Sequence, residues 1–188
     1  MGLDVCSATG EPAPDMKDQC REWHQKRIGT RQQDADKLGI PLFISEFGAC
    51  LDSEVCATEV TQVADVCDEN LAGWSYWEFK PFHDLTTSAG NRSEGFYNND
   101  GSLQTRKVKA LTRPYVKAAQ GTIDSMSFVS EGDLTGSFNA DITVDISIQE
   151  PTIVHVLTGN KDEGVSWYPN GINYTVTSKG NVKPSASI

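Results

Sequence analysis

The sequence predicts an α/β segment followed by a smaller all-β domain, and three observations predict it. Helix, strand, helix and strand alternate with short links up to about Trp77, the repeating unit of a fold with parallel strands. Inside that order, Leu42-Phe43-Ile44 is a short continuous apolar run, which reads as a strand buried on both faces and which delivers a single carboxylate, Glu46, at its C-terminal end. From Thr122 the texture changes to short stretches rich in Val, Ile, Thr and aromatics with turn residues between them, the pattern of an antiparallel β-sandwich. A boundary is expected at about residue 121, giving domains 1–121 and 122–188.

Residues 1–14 are turn-rich and lead into a first helix, capped by Asp15 and running to about Leu38, with Met16, Cys20, Trp23, Arg27, Ala35 and Leu38 near one face. Gly39 ends it, and the strand carrying Glu46 follows. Asp52 or Ser53 caps a second helix whose core face carries Val60, Val63, Ala64, Cys67 and Leu71. Gly73 lies just past its end, and residues 71–77 form the second strand. Residues 78–101 make a long polar loop closed by Asn98-Asn-Asp-Gly101, and a third helix spans about 102–112, stopped before Pro114. In the β-rich part, Ile142, Val144, Ile146 and Ile148 alternate with polar residues along one strand.

The formal charge of −10 over 188 residues argues against nucleic acid or an anionic membrane surface as partner, since both need a basic face. No apolar run is long enough for a transmembrane segment, and no signal peptide is visible at the start. Yet five cysteines, with the sequons Asn91-Arg-Ser and Asn173-Tyr-Thr as glycosylation candidates, point to a secreted or lysosomal/vacuolar protein. The two observations are reconciled if the chain is the C-terminal part of something longer.

Four motifs in order carry a resemblance: Leu38-Gly-Ile-Pro-Leu-Phe-Ile-Ser-Glu-Phe-Gly48, Ala72-Gly-Trp-Ser-Tyr-Trp-Glu-Phe-Lys80, Arg113-Pro-Tyr115 with Ala118-Ala-Gln-Gly121, and Trp167-Tyr-Pro-Asn-Gly171. Together they resemble glycoside hydrolase family 5, in its branch of endoglycoceramidases and related glucosylceramidases. The resemblance implies strands seven and eight, with flanking helices, of a (β/α)8 TIM barrel, then the sandwich that this branch carries. It implies that Glu46 is the nucleophile of a retaining β-glycosidase and Trp77 the floor of the sugar subsite, acting on a β-glucoside, either a glycosphingolipid or a β-glucan. Lys80 and His83, with Asp84, are candidates for contacting substrate beyond the cleavage point, against the plainer reading of a solvated loop. His24 and His155 read as a helix-surface group and a sandwich residue. No spacing suggests a metal site and no cofactor is implied.

A retaining glycosidase needs a second carboxyl roughly 5–5.5 Å from the nucleophile. The family takes its acid/base from an Asn-Glu pair on the fourth strand, and this chain has no such pair. Neither Glu78 nor Glu94 is a supported substitute. The expectation is therefore an incomplete hydrolase, inactive by itself, whose partners are a carbohydrate or glycolipid substrate and the missing N-terminal barrel segment. Among the cysteines, Cys6 with Cys20 and Cys50 with Cys56 is one of three pairings open to four residues, with Cys67 left as a buried thiol. The rival readings are a non-catalytic carbohydrate-binding or adhesion module using Trp167 and Tyr168 of the sandwich, and a structural protein in which Glu46 pairs with a basic residue.

Overall fold

The computed structural model describes residues 6, 14–48, 52–79, 95–130, 136–145, 147–155 and 172–179. The chain divides into two compact units, Met1–Leu111 and Thr112–Ile188.

In the first unit, a 3-10 turn at Pro14–Met16 leads into helix α1, Lys17–Leu38. Its N-cap is Met16, with no side-chain cap, so Asp15 lies in the turn rather than capping the helix. The helix ends on Gly39 at φ 65°, a left-handed conformation that costs glycine little; Gly39 N–H donates to the Asp36 carbonyl and Ile40 N–H to that of Ala35, both at 3.1 Å. The buried stripe is Cys20, His24, Ile28 and Ala35, whereas Leu38 is 71% exposed. His24 is thus not the surface group expected: it lies inward because helix α2, Glu54–Glu69, supplies Glu59 Oε2 at 3.0 Å from its Nε2. Of the two residues offered as cap for α2, Ser53 fills the role, its hydroxyl accepting from Cys56 N–H at 3.0 Å. Val60, Val63, Ala64 and Cys67 are buried as their spacing required. Leu71 is not: it adopts φ 52° and is partly exposed, because α2 has already ended at Glu69.

Strands β1, Phe43–Gly48, and β2, Gly73–Trp77, pair in parallel. One face packs Leu42, Ile44, Phe47 and Trp74 on a core of Ile28, Val63, Val66, Cys67 and Ala72. The other face is open: Phe43 is 59% exposed, contrary to the expectation of burial on both sides. Among the described residues the sheet has only two strands, and the helices cover one side of it. Helix α3, Thr105–Leu111, packs on α2.

The second unit begins at Thr112, earlier than the expected boundary near 121. The reason is strand β3, Tyr115–Ala118, which pairs antiparallel with β6, Ile153–His155. Strands β4, Gly121–Ser130, and β5, Gly136–Val144, form an antiparallel pair, and β7, Ile172–Lys179, lies on the other edge of β5. The β5–β7 pairing is parallel, which departs from the all-antiparallel expectation. A hairpin would have imposed the antiparallel direction, but β6 lies between β5 and β7 in sequence and pairs with β3 instead. The core alternates along β5 as Phe138, Ala140 and Ile142. The strand stops at Val144 rather than reaching Ile148, because the Asp145 carboxylate accepts from Ser147 N–H at 2.9 Å and from its hydroxyl at 2.7 Å, closing a turn.

Candidate active site

The register of the β1–β2 pair contains one irregularity. Ile44 pairs with Trp74 and Phe47 with Tyr76, so Ser45 and Glu46 together oppose the single residue Ser75. This is a β-bulge, a device that re-aims side chains at the ends of strands. Its effect shows in the burial pattern: Ile44 and Phe47, an odd spacing apart, both pack inward, while Ser45 and Glu46 are both exposed. Without the bulge, strict alternation would place Phe47 and Ser45 on the same side. The bulge thus lets the apolar neighbours anchor the strand and leaves the carboxylate of Glu46 facing water at the C-terminal end.

Beyond the bulge, Gly48 pairs with Trp77. Gly48 has φ 134°, and a Cβ there would lie 2.6 Å from Tyr76 Cε2 and collide with the Trp77 carbonyl oxygen. Only glycine lets the two strand ends approach this closely. Trp77 is half-buried, and its peptide bond to Glu78 is cis. On the side of β2 that Phe47 covers runs a chain of rings: Trp74 and Tyr76 each meet Phe47 edge-on at 5.5 and 5.6 Å, and Tyr76 stacks on Phe96 at 5.4 Å. Phe79, 61% exposed, meets Phe96 and Tyr97 edge-on.

Glu46 also lines a cleft of about 230 Å³ against α1, with Trp23, His24, Arg27, Arg31, Ile44 and Phe47. The Arg27 guanidinium lies 4.2 Å over the Trp23 ring. The volume is below the roughly 300–1,000 Å³ of a complete small-molecule site, so this cleft is at most part of one. Trp23 and Arg27 appear in the sequence as ordinary helix residues, one turn apart; only the juxtaposition of α1 with the bulged strand brings them beside Glu46.

Of the predicted site residues, Glu46 and Trp77 come together at the carboxyl ends of adjacent strands. Lys80, His83, Asn91 and Cys50 lie outside the described residues; Asn173 falls within β7. No ion pair involving Glu46 occurs among the described residues. Cys6 and Cys20 are joined by a disulfide, Cys56 is disulfide-bonded, and Cys67 is buried. No cluster of three metal-ligating side chains occurs among the described residues, and none of their helices is long and apolar enough to cross a membrane.

Residues 6–83 match the family model for cellulase, glycosyl hydrolase family 5. The chain is 25% identical over 154 residues to an endoglycoceramidase of Cyanea nozakii, covering 81% of this chain and 29% of that relative. It is similar in fold to endo-glycoceramidase II from Rhodococcus sp., with a TM-score of 0.54 and 24% identity, covering 73% of this chain and 28% of that one. The lactosyl-enzyme intermediate of the same enzyme gives 0.54 and 24%, covering 78% and 30%, and its ganglioside GM3 complex gives 0.53 and 24%, covering 73% and 27%. The chain spans less than a third of the length of each. The resemblance to the endoglycoceramidase-like branch of family 5 is real and partial.

Proposed function

We propose, from the family 5 glycosyl hydrolase stretch carried by residues 6–83, that this chain bears the nucleophile side of a retaining β-glycoside hydrolase. The observation that carries the reading is the bulge at Ser45–Glu46, which presents one exposed carboxylate at the carboxyl end of a parallel strand next to Trp77, where α/β barrels do chemistry. Glu46 attacks the anomeric carbon of a β-glucoside to form a glycosyl-enzyme, and the Trp77 ring stacks on the sugar. The acid that protonates the leaving oxygen comes from the N-terminal barrel segment of a longer protein, so the unit Met1–Leu111 by itself is a barrel portion and the unit Thr112–Ile188 a small β-sandwich. The substrate is a glycosphingolipid or a β-glucan; the relative solved as a lactosyl-enzyme intermediate and as a ganglioside GM3 complex supports the former. Lys80 and His83 contact the substrate beyond the cleavage point. The disulfides fit an oxidising compartment, hence a secreted or lysosomal/vacuolar protein bearing glycans at Asn91 and Asn173.

The test is intact-mass labelling with a 2-fluoro β-glucoside, on this chain and on the protein extended upstream. An adduct on Glu46 in the extended protein, abolished by Glu46→Gln, is the expected result. A folded extended protein that takes no adduct overturns the enzyme reading and favours a carbohydrate-binding module.

A further inference from the structure

Strand β2 carries a hydroxyl, that of Ser75, between Trp77 and the bulge. Trp74 and Tyr76 turn to the helix-covered face of the sheet, where both rings meet Phe47, so alternation along β2 turns Ser75 and Trp77 together to the open face. Ser75 is also the residue that faces the bulge. Ile44 pairs with Trp74 and Phe47 with Tyr76, which leaves Ser75 alone across from Ser45 and Glu46. Neighbouring strands lie about 4.8 Å apart and successive residues on one face about 6.6 Å apart, so the backbones of Ser75, Trp77 and the bulge mark a triangle with sides of about 5–8 Å.

A single pyranose ring fits such a triangle: one face covers an indole, the anomeric carbon meets a carboxylate, and a hydroxyl of the ring is left for the third corner. Ser75 is half-buried, and no hydrogen bond of its hydroxyl occurs among the described residues, so the strand holds the group in place while its donor and acceptor stay open to a ligand. The bulge sets Glu46 level with Ser75, whereas Trp77 lies one pleat nearer the strand end. The sugar hydroxyl within reach is therefore the one beside the reacting carbon. We infer that Ser75 is a substrate-contacting residue, which hydrogen-bonds the sugar hydroxyl adjacent to the anomeric carbon and makes the site selective for glycosides that carry it. The inference rests on the glycosidase reading of Glu46 and Trp77 and names a specificity residue for that same site. A site that hydrogen-bonds a substrate hydroxyl discriminates against the analogue lacking it, because the protein's polar group then loses its partner.

The experiment uses the protein extended upstream, with an aryl β-glucoside and its 2-deoxy analogue as substrates and the 2-fluoro β-glucoside label as a separate check on Glu46. Ser75→Ala removes one neutral hydrogen bond. The expected result is a fall of about tenfold in kcat/KM for the glucoside and of less than about twofold for the 2-deoxy analogue, with Glu46 still labelled. An equal fall for both substrates marks a structural serine and overturns the inference, and so does no fall for either. If Ser75→Ala does not fold, Ser75→Cys decides, since it keeps the shape and replaces the hydroxyl by a poor hydrogen-bonding group. It must lower the rate on the glucoside selectively, and failure to do so overturns the inference. A folded parent protein that takes no label on Glu46 overturns the glycosidase reading, and this inference with it. A parent that is labelled, but whose Ser75 variants treat both substrates alike, refutes the role of Ser75 alone.

Discussion

Replacing Gly48 by alanine is the sharpest test of how the strand ends are held. At φ 134° an L-residue costs about 1–3 kcal/mol in backbone strain. The added methyl also meets Tyr76 Cε2 at 2.6 Å and the Trp77 carbonyl, an overpacking cost of about 1–3 kcal/mol. Gly39 supplies the control, because it too has positive φ, 65°, with nothing within 4 Å of its would-be Cβ. Gly39→Ala therefore measures left-handed strain alone, about 1 kcal/mol, and Gly48→Ala is expected to lose about 3–4 kcal/mol. Urea unfolding followed by tryptophan fluorescence reads the difference mainly in the first unit, which holds Trp23, Trp74 and Trp77. With a slope of about 1–3 kcal/mol per molar, the gap between the two variants is a midpoint shift of about 1 M. Equal midpoints would refute the claim that β1 and β2 meet so tightly that only glycine fits.

Other perturbations probe the surroundings. Cys20→Ser opens the Cys6–Cys20 link across a separation of 14 residues and is expected to cost about 3 kcal/mol, checked by denaturation of wild type and variant side by side without reductant. Glu59→Leu strips the partner from the buried His24 and is expected to cost about 1–3 kcal/mol in the same assay, a loss that the added change His24→Phe should largely recover. The Asp145 carboxyl is held below its ordinary 3.8, first by the Ser147 hydroxyl and then by the Ser147 backbone N–H. A carboxyl lowered on folding stabilises above its unfolded value and loses that contribution as pH falls through the folded one. Asp145→Asn should therefore flatten the acid limb of stability below about pH 3.8 while leaving its shape near neutrality unchanged; an unaltered acid limb rejects the link.

The helices and the β1–β2 pair were legible because their causes are local. Ser53 is a strong cap, Gly39 a strong stop, and the spacing of Val60, Val63, Ala64 and Cys67 admits one face. Glu46 and Trp77 were legible as strand-end residues for the same reason. The bulge was not, since Ser45-Glu46 carries no glycine or proline to mark it, and it arises from Ile44 and Phe47 both seeking the core across an odd spacing. His24 was misread because a histidine's burial depends on the acceptor opposite it, and Glu59 lies on another helix. Phe96 and Lys107 were passed over because one lies in a long polar loop and the other on a short helix, and the contacts of both are set by tertiary folding. In the β-rich half, local propensity marked short strands, among them the alternating run from Ile142, but gives no direction of pairing, which depends on where β6 lies.

Strand β5 has both edges occupied, by β4 through a direct connection and by β7 from far along the chain. Closing a short connection loses less chain entropy than closing a long one, so the β4–β5 ribbon can form early while β7 must wait for a distant encounter. Amide hydrogen exchange should then separate two classes within one sheet. Amides shared between β4 and β5 open only with the whole unit, whereas those that β5 shares with β7 open in a cheaper excursion that releases β7 alone. In the second half of this protein the central strand would record the order of assembly along its two sides.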